Sequence, residues 1–472
     1  MFSIKPFYLL FVLLFCYLLL VAEYYLWSAI GVTFSVALFI NFLNQLGKKM
    51  PIRELIVLIA AAQWIVGAKL SYLAGKVHYR YYMYVDEETY MSYVVPATLL
   101  FAVGLFFFKV NNQLSRIEEL FTKNHATLKV HAISLLSLGI LSTLVSKAIA
   151  IPALAFFLFL LSLLTYVGII YFFYLFPSKK WLIFFSALAY FFVSSLSIGM
   201  FHDLLLIGVF FSFFIIDRKT SLLKKVIFFS LSFFLAYMIQ VVKGDFRKQL
   251  WDSDQAISPT TVFYNLVVDE FFPSTTSYSR SNSGLNEEEE SADANTRLNQ
   301  GWIISRVMSN IPSYRPYLGG STISEALEAS FIPRFLSPNK KGANSALENF
   351  NEITGLQLQE GTSMGLSLVG EFYANYGRIG GMVALFIYGF ILSLIIQLFF
   401  NRFADGSPIA LIFLIVLFYQ VVKAETDFIK VINHLVKSFV VVYLVKVLFS
   451  VFNNTLFYKQ EKSDRINLPI TK

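Results

Sequence analysis

The chain has 472 residues, 57% of them hydrophobic and only 14% charged, with a net charge of +8 at neutral pH. A soluble domain carries about a quarter charged residues, so this balance excludes an ordinary soluble fold and points to a polytopic membrane protein; the mean hydropathy of +0.63 agrees. The single cysteine, Cys16, excludes disulfide frameworks and paired-thiol chemistry, and the positive charge is read as cationic loops facing phosphate groups rather than a nucleic-acid footprint.

Apolar runs of about 17–25 residues cross ~30 Å of hydrocarbon as helices. From the N-terminus about twelve of them fall near 7–22, 26–45, 55–74, 92–109, 130–148, 151–176, 181–200, 203–216 and 226–242, then near 378–400, 408–423 and 435–452. None alternates in polarity, so an all-α protein is expected rather than a barrel. The first run follows Lys5 with no small-x-small cleavage pattern behind it, which predicts a retained helix. The weakest, 203–216, is preceded by His202–Asp203.

Lysines and arginines gather in alternate loops: 47–54, 109–129, 177–180, 217–225, 401–402 and the tail 453–472. The intervening short loops hold far fewer, so both termini are expected in the cytoplasm. The organisation that follows is nine spans over 1–242, a large, partly helical exoplasmic loop over 243–377, and three spans over 378–452. Within the loop, 279–297 is polar, glutamate-rich and free of aromatics, which predicts a solvated excursion. Thr322 and Glu325 have capping-box spacing, and a helix from there should stop before Pro333. A second short helix is expected from Asn344 to a glycine stop at Gly355.

Candidate chemistry lies in the charges that this map places outside. Arg334 sits between Pro333 and Pro338, which restrict the backbone, and a fixed guanidinium fork suits phosphate or pyrophosphate. Lys340, Arg315 and Arg247 add cations in the same interval. His202 and Asp203, Lys423, Glu425, Asp427 and His434 are ionisable groups at span ends, where charge is expensive and functional by default. No GxxxxGK[ST] loop and no HExxH site occurs. Energy for a reaction outside would therefore come from an activated substrate, with a lipid pyrophosphate as the leaving group.

The run EALEASFIPRFLSPNKKG (325–342), followed by TSMGLSLVGEFYANYGRIGGMVALFIYGF (362–390), resembles bacterial O-antigen polymerases of the Wzy type, the oligosaccharide repeat-unit polymerases. The matching positions are Pro333-Arg334, Pro338-Asn339-Lys340, Gly370-Glu371, Tyr373, Asn375 and Gly377, under a fifth of the chain. His202–Asp203 departs from the Ser-Arg-Gly step of many relatives. The resemblance implies glycan transfer from undecaprenyl pyrophosphate to a sugar hydroxyl of a second lipid-linked repeat unit, building O-antigen, capsular or exopolysaccharide at the bacterial inner membrane.

In that reading Arg334 and Lys340 neutralise the departing pyrophosphate, Arg315 and Arg247 assist, and Glu371, or else Asp203, deprotonates or orients the acceptor. His202, Tyr373 and Asn375 join the substrate-binding set. A helix-capping Glu371 is the structural alternative. No metal or other cofactor is called for, and the partners are the lipid-linked oligosaccharide, the bilayer and a chain-length regulator. Two further readings stay open at this point: an O-antigen ligase, and a lipid-linked oligosaccharide transporter or flippase.

Overall fold

The computed structural model describes residues 6–74, 81–110, 113–148, 152–199, 201–251, 258–271, 299–332, 345–358 and 364–458. Among them there is helix and no strand. In chain order the helices are α1 (Pro6–Leu20), α2 (Leu26–Gln45), α3 (Ile52–Leu73), α4 (Glu87–Leu105), α5 (Ser115–Lys123) and α6 (His125–Ala148). Then follow α7 (Pro152–Ser162), α8 (Leu164–Leu175), α9 (Lys180–Ile198), α10 (His202–Ile215), α11 (Leu222–Trp251) and α12 (Pro259–Phe271). The last six are α13 (Gly301–Asn310), α14 (Ser321–Phe331), α15 (Ser345–Thr354), α16 (Leu368–Leu398), α17 (Ala410–Phe418) and α18 (Phe428–Val451).

Among the described residues nine segments are long and apolar enough to cross a membrane: α2, α3, α4, α6, α7 with α8, α9, α11, α16 and α18. The chain is a helical polytopic membrane protein. The other three expected spans are shorter helices. α1 and α10 are apolar but have 15 and 14 residues, and α17 has nine, every one of them buried.

Polar contacts fix which helix ends lie together. At one end, Lys69 of α3 pairs with Glu87 of α4 at 2.6 Å, and Trp64 donates through Nε1 to the Ala424 carbonyl at 3.2 Å. At the same end the Tyr93 hydroxyl donates to the Val369 carbonyl at 2.8 Å. At the opposite end Arg53 donates to the Phe108 carbonyl at 2.8 Å, and the Phe108 N–H meets Ser393 Oγ at 3.1 Å. Lys446 donates there to the Phe403 carbonyl at 2.5 Å. These are called the Glu371 end and the Arg53 end below.

Several boundaries move for local reasons. α4 begins at Glu87 because Asp86 accepts the Thr89 N–H at 2.8 Å, an N-cap in front of the apolar run. α3 contains a π turn at Ala62–Val66. The extra residue frees main-chain carbonyls: that of Gln63 accepts the Gln300 N–H at 3.2 Å, and that of Trp64 accepts the Tyr90 hydroxyl at 2.8 Å. α16 starts ten residues ahead of position 378, and α11 continues through Trp251, past position 242.

The expected capping box is not formed. α14 starts at Ser321 behind Gly320, whose φ of 95° and lack of a side-chain cap leave Thr322 inside the first turn. Its end before Pro333, and the end of α15 at Thr354 before Gly355 (φ 69°), match expectation. α14 lies along α18, so Phe331 faces the same groove as Leu435 and Phe439.

α11 is held at its two ends. Near the Arg53 end, buried Lys225 donates to the carbonyls of Leu43 and Leu46 at 2.9 and 2.7 Å, closing the C-terminus of α2. At the Glu371 end, Arg247 Nε donates to the Gly199 carbonyl at 2.8 Å. Between these ties residues 230–235 are exposed in succession, so no side of the helix is covered by protein there.

Candidate functional site

The chain between α17 and α18 is unwound. Helix stops at Phe418 and resumes at Phe428, although His434, well inside α18, donates through Nε2 to the Val416 carbonyl at 2.8 Å. Residues 419–427 therefore run as irregular backbone within the bundle, which is tolerated only where protein satisfies its polar groups. Trp64 supplies the Ala424 carbonyl with its donor. The Leu366 N–H donates to Asp427 Oδ1 at 2.6 Å. Gly365 passes directly against the Glu425 carbonyl, and any Cβ there would collide with it.

Glu371 belongs to this arrangement. It lies in the first turn of α16, 3% exposed, and its Oε2 accepts the Phe428 N–H at 2.8 Å. Asp427, the residue ahead of α18, makes no side-chain cap of its own. The cap of α18 thus comes from α16, and Glu371 caps a neighbouring helix rather than the one that carries it.

Charges on separate elements converge on the unwound segment. Asp203, in the first turn of α10, pairs with Lys423 at 3.0 Å, and the Lys423 ammonium lies 4.6 Å from the Tyr419 ring centre. His202 Nε2 faces Glu425 Oε1 at 3.7 Å. Lys430 pairs with the second oxygen of Asp427 at 3.1 Å. Arg247 and buried Lys243 reach the start of α10 from α11. Glu425 Oε2 and Gln420 Oε1 are buried without a hydrogen-bond partner among the described residues. Buried polar atoms normally find one, so this is where water or a ligand would satisfy the protein.

The segment ahead of α14 is clamped onto α16. Asn375, 1% exposed, accepts the Gly320 N–H through Oδ1 at 3.1 Å. Its Nδ2 donates to Thr322 Oγ1 and to the Glu371 carbonyl, both at 2.8 Å. Main-chain bonds join Leu318 N–H to the Ala374 carbonyl and Gly319 N–H to that of Asn375, each at 3.0 Å. Two residues on, Gly377 breaks α16 with φ 71° and ψ −168°, and a Cβ there would sit 3.1 Å from the Tyr317 ring. Only glycine fits such a kink. Tyr373 stands between Tyr93 and Tyr317, at ring-centre distances of 5.0 and 6.2 Å.

Of the residues singled out from sequence, His202, Asp203 and Glu371 meet the unwound segment or the residue after it, Arg247 binds the Gly199 carbonyl three residues ahead of His202, and Asn375 and Tyr373 follow Glu371 on α16. Arg315 stands apart, paired with Glu352 at 2.7 Å in a half-exposed contact. Arg334 and Lys340 lie outside the described residues. Lys423 and Glu425 were visible as charges ending an apolar run; that they answer Asp203 and His202 was not, because those partners are over 200 positions away. Among the described residues no three His, Cys, Asp or Glu side chains gather as a metal site. No family model, curated protein or solved structure matches this chain.

Proposed function

We propose that the chain is a membrane glycosyltransferase that polymerises undecaprenyl-pyrophosphate-linked oligosaccharide repeat units on the outer face of the bacterial cytoplasmic membrane. The observation that carries this reading is the convergence of carboxylates, a histidine and cations from α10, α11, α16 and the unwound segment at one end of an apolar bundle. Glycosyl transfer from a lipid pyrophosphate makes two demands: positive charge opposite the leaving group, and a carboxylate or imidazole within reach of the acceptor hydroxyl. That end of the bundle offers both. In this reading it faces outwards, and the lysine- and arginine-rich Arg53 end, with both termini, faces the cytoplasm.

The reading takes twelve crossings, with α17 and the unwound segment together making a broken one, the chain between α11 and α16 beginning and ending at the outer end, and α14 dipping from it along α18. Asp203 or Glu371 receives the acceptor proton, with His202 beside Asp203 to pass it on. Lys423, Arg247 and Lys243 hold phosphate charge. Arg334 and Lys340 keep the leaving-group role that the resemblance gives them, and a chain-length regulator is the expected protein partner.

The test is a glycan ladder on a gel from cells lacking this gene and supplied with the wild-type chain or with Asp203→Asn, Glu371→Gln or Arg334→Lys. Wild type restores the ladder. Lys keeps the charge but not the forked contact, and loss of one well-placed donor costs ~10²–10³ in rate, so Arg334→Lys leaves single repeat units at unchanged protein level. A normal ladder from all three variants would sink the reading.

A further inference from the structure

A second charged site lies at the Arg53 end, far from the residues described above. The loop 46–51 between α2 and α3, the loop 216–221 between α10 and α11, and the start of α5 enclose a cavity of about 330 Å³. Lys48, Lys49 and Arg218 line it, with Gln113, Ser115 and one acidic residue, Glu118.

The walls are fixed by backbone. Gly47, at φ 78°, lies so close to the main chain of Ile216 and Asp217 that a Cβ would come within 2.6 Å of both. The Leu114 N–H donates to the Lys48 carbonyl at 3.2 Å, and Lys49 pairs with Gln113 in an isolated bridge. Charge is left over. Asp217, the acid nearest Arg218 in sequence, is taken by Lys180. Lys48, Lys49 and Arg218 form no ion pair among the described residues. Partial burial pushes the Glu118 carboxyl upward, with Lys180 opposing and Asp217 and Glu119 acting the same way as burial.

Position selects the ligand. The cavity sits where α2 and α10 end and α3 and α11 begin, beside α5, a helix that buries Ile117 and Phe121 and turns charged residues outwards. Ends of spanning helices lie near the level of a bilayer's phosphates, and basic pockets between such helices bind anionic headgroups.

We propose that this cavity is a binding site for the phosphate-bearing headgroup of an anionic membrane lipid, held by Lys48, Lys49 and Arg218. The site is independent of the glycosyl-transfer reading. Native mass spectrometry of the full chain in detergent, with phosphatidylglycerol or phosphatidylcholine of the same acyl chains, reads it directly. Wild type should retain phosphatidylglycerol preferentially. At ~1 kcal/mol per surface cation, roughly fivefold each, the combined Lys48→Gln, Lys49→Gln, Arg218→Gln variant should bind it on the order of 100-fold more weakly.

Two controls isolate the pocket. Lys48→Arg with Lys49→Arg keeps the charge and should keep the lipid, while Lys224→Gln removes an exposed cation at the same end, outside the cavity, and should change nothing. Radiolabelled inorganic phosphate separates the sources. If it binds wild type but not the triple variant, and phosphatidylglycerol shows no excess over phosphatidylcholine, the ligand is a soluble phosphate and the lipid assignment falls. Equal retention of phosphatidylglycerol by wild type and triple variant overturns the site altogether.

Discussion

Removing the Asn375 side chain should release the chain ahead of α14 from α16. Asn375→Ala deletes three hydrogen bonds, to Gly320, Thr322 and the Glu371 carbonyl. Each is worth about 1 kcal/mol net, and the Gly320 N–H is left without its acceptor, so the local loss is ~3 kcal/mol. The main-chain bonds from Leu318 and Gly319 to α16 depend on the same register. Their amides should therefore exchange with deuterium on the order of 100-fold faster, while amides of the fully buried α17 keep wild-type protection. Asn375→Asp should be worse than alanine, because it turns a carboxylate oxygen towards the Glu371 carbonyl. Peptide-resolved exchange on the detergent-solubilised chain measures both. A rise below about threefold at 318–320, or an equal rise in α17, would refute a clamp at Asn375.

Gly377→Ala forces a side chain into φ 71°, ψ −168°, costing roughly 1–3 kcal/mol of strain, and should lower the thermal midpoint. Adding Tyr317→Ala removes the 3.1 Å contact but not the strain, so recovery should be partial; full recovery would show that crowding alone mattered. Trp64→Phe keeps the ring beside Phe101 but loses the donor to Ala424, worth about 1 kcal/mol, and should speed exchange across 419–427 roughly fivefold. Unchanged exchange would mean the segment is held elsewhere. Lys225→Met keeps the aliphatic stem and strips two carbonyls of their cation, so distances between spin labels at Phe39 and Leu223 should broaden. An unaltered distribution would show that the tie is dispensable.

The apolar runs showed the membrane helices because hydropathy reports the solvent a segment needs, and in a bilayer that solvent is lipid along most of each span. It does not report what else can surround an apolar segment. The run ending in Tyr419-Gln420-Val421-Val422-Lys423 reads as span through 423, yet its helix stops at Phe418, because Trp64, Gly365 and Leu366, from distant positions, meet the polar groups that unwinding exposes. α14 failed the other way. STISEALEASF was expected as a short helix of the outer loop, yet it lies along α18, a membrane-spanning helix. Its start was misplaced because a glycine at φ 95° and the amide of Asn375, 53 positions on, do the work that Thr322 and Glu325 were expected to share. His202–Asp203 was legible because charge interrupts an apolar run at a cost only a partner can offset; the identity of the partners needed the fold.

The bare middle of α11 makes bilayer thickness a variable of this protein. Its 30 residues span about 45 Å against a hydrocarbon core of ~30 Å, so the helix must lean or leave its ends outside. With no protein around residues 230–235, lipid meets the middle of the helix on every side, and thinner bilayers favour a greater lean against the ties at its ends. Both ends are tied, by Lys225 to α2 and by Arg247 to the Gly199 carbonyl three residues from His202, so a change of lean loads those ties. Acyl-chain length then works as a lever on the charged end of the bundle: the same chain in short-tailed and long-tailed membranes would hold Arg247 and Lys243 at different distances from Asp203, with no change in any residue.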